Sequence, residues 1–209
     1  MNHFAFGRGV CYILMEGVFK KVVWGIKGGG KMFDPTIYDN LKVVVEGTIY
    51  ELDFSGKIKV TNRQDIVDLA TMSRKFAMRF QAPGTAASYP AANIILQAAM
   101  DDLAAEMIAG EGKQAGCRLT VELFTKVTHP EKECAEMAKR LTALWNGRPL
   151  ITQKISYVYG SNEPGVNRIL LDFNRKINED QLEDIPNLID YSFQSLRILN
   201  ELERSRSET

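Results

Sequence analysis

The sequence predicts an α+β protein, with an antiparallel or mixed β-sheet and helices mainly on one of its faces. Three stretches lead to that class. Cys117, Leu119, Val121 and Leu123 alternate with Arg118, Thr120 and Glu122, which is the period of a half-buried strand. Cys134, Met137, Ala138, Leu141, Leu144 and Trp145 recur at helical spacing just after it. "GSNEPG" at 160–165 then joins two strand-like runs as a hairpin, so their pairing is antiparallel.

Taken in chain order, residues 41–53, "LKVVVEGTIYELD", are rich in β-branched side chains and read as a strand, with Gly47 as a bulge. "FSG" at 54–56 turns the chain into a short hairpin partner over 57–61. Asn62 and Asp65 stand in capping-box positions, and Ile66, Leu69, Ala70, Phe76, Ala77 and Phe80 form one stripe, so a helix is expected over 62–80. Small residues and two prolines fill 82–93. A second helix is expected over 91–109 with Leu96, Ala99, Leu103 and Met107 as its seam, ending in the turn "GEGKQAG".

The strand over 117–127 follows. Thr128, Pro130 and Glu131 then suit the start of a helix that Gly147 ends. Strands are expected over 151–159 and 166–175. A final helical region opens at "NED", 178–180, and Pro186 divides it into a short and a long piece. The order is β-β-α-α-β-α-β-β-α. Its last five elements run as in ferredoxin-like layers, an analogy of shape that says nothing about activity.

The N-terminal stretch "WGIKGGGKMFDP", 24–35, resembles a phosphate loop in its Gly25, Gly30 and Lys31. The hydroxyl that would hold magnesium is replaced by Met32, and Pro35 stops the helix that would cradle the phosphates. Lys and Gly codons are purine-rich, so "KGGGKM" also reads as a translated ribosome-binding site ahead of a start at Met32. The expected organisation is therefore a non-native or flexible extension over 1–31, one α+β domain over 32–203 with an internal loop at 82–93, and a frayed tail at 204–209. Val10 to Val23 is interrupted by Glu16, Lys20 and Lys21, so neither export nor membrane insertion is expected.

The chain has 209 residues, with 26 basic and 26 acidic side chains. Without residues 1–31, which hold five basic and one acidic, 21 basic and 25 acidic remain, a net of −4. That argues against a general nucleic-acid binder. Cys11, Cys117 and Cys134 form no C-x-x-C pair, which suits free thiols in a reducing cytoplasm.

Candidate chemistry is sparse. His3 and His129 are the two histidines, and His129 sits where a helix cap explains it. His129, Glu133, Cys134 and Cys117 lack the recurrent spacing of a zinc site. Asp102 and Glu106 are one helical turn apart and could hold magnesium. Arg74, Lys75 and Arg79 interleave with Phe76 and Phe80, a pattern that could grip a phosphate backbone or an anionic partner. Tyr157, Tyr159 and Arg168 could present a partner surface on an open sheet face.

The leading expectation is a non-catalytic cytoplasmic interaction or regulatory module with an unidentified protein partner, no cofactor and no membrane. Self-association through a sheet edge or an apolar helix stripe is open to it. The alternatives are a nucleic-acid-associated protein using the Arg74/Lys75/Arg79 helix edge and a magnesium-dependent enzyme using Asp102 and Glu106.

Overall fold

A computed structural model describes residues 36–85, 88–107 and 115–207, and the backbone of two antiparallel strands upstream, β1 (Val10–Met15) and β2 (Val18–Val23). The chain divides into two compact units, Met1–Thr36 and Ile37–Thr209. The readings of the glycine stretch at 25–31, of Met32 as a start, of His3, of the Cys11 thiol and of most of the 110–116 turn lie outside the described residues.

The second unit runs α1 (Ile37–Phe54), β3 (Lys59–Asp68), β4 (Ser73–Gln81), β5 (Ala91–Ala98), α2 (Met100–Met107), β6 (Cys117–Val127), α3 (Pro130–Leu144), β7 (Leu150–Ser156), β8 (Gly165–Ile177), a 3-10 turn (Glu179–Asp184) and α4 (Ile185–Ser207). The six strands from β3 onward form one antiparallel sheet in the order β3-β4-β5-β6-β8-β7. The α+β class, the antiparallel sheet and the β-α-β-β-α order of the C-terminal half are as the sequence predicts.

Period-two alternation puts one apolar row after another on a single face. Phe76 pairs with Leu96 and Leu96 with Leu119. Met78, Ile94, Val121 and Leu171 form the next row, and Phe80, Ala92, Leu123 and Ile169 the one after. Apart from the bulge-adjacent Leu119, these side chains are fully buried. Three helices close over them, with Leu41, Val45 and Ile49 from α1, Met137 and Leu141 from α3, and Ile189, Leu196 and Leu199 from α4 in the same core. Each such side chain contributes about 1.5–3 kcal/mol by leaving water.

Three segments in the N-terminal half differ in type from the sequence reading. Residues 41–53 belong to helix α1, because Tyr38, Leu41, Val45 and Ile49 are the buried positions and that spacing is helical. Burial along this stripe outweighs the β preference of Val43, Val44, Val45 and Thr48. Residues 62–80 are not a helix but most of the hairpin β3–β4. Phe76, Met78 and Phe80 point inward at period two, and the turn is made without glycine or proline. Asp68 Oδ1 accepts from the backbone N–H of Ala70 and Thr71, and Met72 takes a positive φ of 51°. Residues 91–98 are strand β5, buried on both sides over Ile94–Leu96, and helix begins only at Met100, with Met100–Met107 as its described part. The three-residue apolar run Ile94–Leu96 is too short to carry a period that separates strand from helix.

In the C-terminal half the agreement is close. Gly147 follows α3 with φ +65°. Asn178 caps the 3-10 turn in a reciprocal arrangement with Gln181, and Pro186 sits in the first turn of α4. At the start of α3 the roles are redistributed: Pro130 opens the helix, but Glu133, not Thr128 or Glu131, accepts from the backbone N–H of Thr128 (2.9 Å) and His129 (2.6 Å).

Candidate functional site

The three basic residues at 74–79 lie on strand β4, so they do not share a helix edge. Alternation sends Arg74 to the helix-covered face and Lys75 and Arg79 to the other. Arg74 is held by Asp39 of α1 (2.8 Å) and lies 4.2 Å from the Tyr38 ring centroid. Arg79 sits over Phe124 (4.8 Å) and Tyr89 (5.4 Å) and donates to the Ser88 carbonyl. Phe76 and Phe80 are core, with no surface for stacking a base. Arg168 shares the face of Lys75 and Arg79, and its guanidinium pairs with the buried carboxylate of Glu122.

Tyr157 and Tyr159 do not stand together on a sheet face, because β7 ends at Ser156. Both lie in the connection to β8. The Tyr157 ring rests over Gly165, where a Cβ would come within 2.6 Å of its Cε1, while Tyr159 is fully exposed.

Asp102 and Glu106 are one turn apart on α2, and each has its own structural partner. Asp102 accepts from the backbone N–H of Ala99 (2.8 Å) and pairs with Lys176 of β8. Glu106 accepts from the backbone N–H of Ile37 (2.9 Å), which satisfies a donor at the start of α1. Burial pushes the Glu106 carboxyl above its ordinary range, this N–H bond pulls it back, and Glu179 and Asp39 raise it further. Among the described residues no group of three or more His, Cys, Asp or Glu could hold a metal ion. Burial, with Asp102 and Glu106 adding to it, pushes the Cys117 thiol up to about 12, so it stays protonated. Cys117 and Cys134 are free thiols.

A cleft of about 490 Å³ was not singled out by the sequence. It lies between the C-terminal end of α3, the end of β8, the 3-10 turn and the start of α4. Trp145 forms its floor. The indole N–H donates to Ser195 Oγ (2.9 Å), whose own hydroxyl donates to the Tyr191 carbonyl (2.8 Å), so the ring is fixed by two linked bonds. Phe173 meets it edge-on at 5.5 Å and Tyr191 lies tilted at 5.4 Å. Around this aromatic floor stand Arg148, Arg175, Asp184 and Asp190, all exposed, so the cleft pairs apolar depth with charge of both signs. Its volume falls within the range of sites that take a drug-sized group. The sequence signal for it was weak: Trp145 reads as the last member of the α3 stripe, and the other walls come from residues 119 to 194.

A smaller hollow lies between the end of β6, the start of α3 and the end of α4. Arg206 closes one side of it by donating to Glu133 (2.6 Å) and to the Lys126 carbonyl (2.8 Å). Compared with protein-family models, with curated proteins and with solved structures, the chain matches none. No helix of the described residues is long and apolar enough to cross a membrane.

Proposed function

We propose that this chain is a non-catalytic interaction module of the cytoplasm, and that a protein partner docks in the cleft floored by Trp145. The observation that carries the reading is the cleft's composition: a fixed aromatic floor of Trp145, Phe173 and Tyr191 with exposed Arg148, Arg175, Asp184 and Asp190 around it. A polypeptide suits that arrangement. An aromatic or large aliphatic side chain fills the apolar depth, and neighbouring residues of both charges meet the surround, as at the anchors of protein interfaces. Arg74, Arg79 and Arg168 are engaged by Asp39, by Phe124 and Tyr89, and by Glu122, so the cleft is the better-supported surface. Asp102 and Glu106 are likewise engaged by Lys176 and by the start of α1. Free thiols at Cys117 and Cys134 accord with the reducing compartment proposed.

The test is selection of random peptides displayed on phage against the immobilised full chain. Selected peptides should share one aromatic or large aliphatic anchor and bind Tyr191→Ala and Arg175→Glu at least about ten-fold more weakly, as loss of an anchor contact gives. Peptides without a common anchor, or equal binding to both variants, would remove the cleft from consideration.

A further inference from the structure

Strand β3 is an edge of the six-stranded sheet and pairs only with β4 among the described residues. Every residue from Thr61 to Asp68 is exposed, whereas β7, at the other edge, is half-buried along most of its length. A bulge lies between Val60 and Asn62, and the strand is regular from Asn62 onward. Next to this run the hairpin also exposes Ile66 (46%), Leu69 (79%) and Met72 (48%). An open strand of this kind offers a row of backbone N–H and C=O groups to another strand.

The side chains specify which strand fits. If two copies pair antiparallel with their helices on the same side of a joined sheet, facing residues must have the same parity, so the pairing is centred on a residue. Centred on Arg63, it sets Arg63 against Arg63; centred on Asp65, it sets Asp65 against Asp65. Centred on Ile66, it sets Asp65 against Val67. Centred on Gln64, it sets Arg63 of each copy against Asp65 of the other, and Asn62 against Ile66. Opposite charges directly across an antiparallel pair stabilise it and like charges oppose it. Within one copy Arg63 already pairs with Glu46, and Asp65 with Lys42, both on α1. The Gln64-centred register therefore builds two alternating rows, Lys42–Asp65–Arg63–Glu46, each running from one copy into the next.

We propose that β3 is a homotypic edge: two copies of this chain pair antiparallel about Gln64, joining two six-stranded sheets into one. This rests on the exposed edge and its charge pattern and is independent of the Trp145 cleft.

The test uses the full chain and two variants, Arg63→Glu and Asp65→Lys, each first shown to be folded by circular dichroism. Sedimentation velocity across a concentration series reads the dimer constant. The native chain should dimerise. Each variant alone places like charges across the seam and should dimerise at least about ten-fold more weakly. Mixed together, the carboxylate introduced by one variant faces the ammonium introduced by the other. The mixture should recover association to within about three-fold of the native chain. A native chain monomeric up to about 100 μM, a dimer indifferent to either variant, or variants that do not complement each other would each overturn the proposal.

Discussion

At the scale of single residues, Arg74, Asp102, Glu106 and Arg168, which look reactive in the sequence, have structural partners. Glu106 is the clearest case, a half-buried carboxylate that accepts from the Ile37 N–H, with Asp39 and Glu179 nearby. Its folded value lies above the ordinary 4.5, so the folded chain holds this proton more tightly than the unfolded chain does. Its contribution to stability is then greatest at low pH and is lost as pH rises from about the ordinary carboxylate value through the raised one. Glutamine keeps an acceptor for Ile37 and does not titrate. The melting temperature of Glu106→Gln relative to the native chain should therefore rise between acid and neutral pH, and a difference that stays flat or falls would contradict the assignment. Trp145 illustrates the reverse: a residue that reads as ordinary core has its indole oriented by Ser195 and Tyr191 and so becomes the floor of a cleft.

At the scale of elements, legibility follows how much of the burial pattern is local. Strand β6 is legible because apolar and polar residue types alternate along it, although Thr120 and Glu122 are buried as well, and α3 keeps one stripe beside one polar face. In α1 the β-branched run hid a helical stripe that becomes decisive only when a sheet lies beneath it. In β3–β4 the turn rests on Asp68 accepting two backbone N–H groups, a mechanism open to many Asp residues and marked by no glycine or proline. A helix over 62–80 would put Arg74, Lys75 and Arg79 on one side; as a strand they separate between two faces. The Trp145 cleft was not legible because its walls bring Leu119 of β6 and the end of α3 against the separate stretch from Phe173 to Gln194. The end of α4 is also set by tertiary contact. Helix continues through Ser207, and Arg206 ties its last turns to Glu133 and to the Lys126 carbonyl. Arg206→Ala should cost about 1 kcal/mol, as a partly exposed ion pair does, and speed amide hydrogen exchange in the last two turns of α4 while leaving its start unchanged. Unchanged exchange would show that those turns stand without the arginine.

At the scale of the whole molecule, one sheet face is committed to α1, α3 and α4, which leaves an aromatic cleft at one end of the helical layer and an exposed strand at one edge of the sheet. The sheet's hydrogen bonding and its core explain why the chain folds, and the cleft and the β3 edge are the two surfaces proposed to meet other molecules. The central claim is that the cleft is a docking site. The most direct measurement is a two-dimensional ¹H–¹⁵N NMR titration that follows the Trp145 indole N–H, assigned against Trp24 with Trp24→Phe, as blocked aromatic amino-acid amides are added. The account predicts a saturable shift of the Trp145 resonance that is lost in Tyr191→Ala while the rest of the spectrum stays folded. An indole resonance that does not move, or that moves equally in Tyr191→Ala, would contradict it.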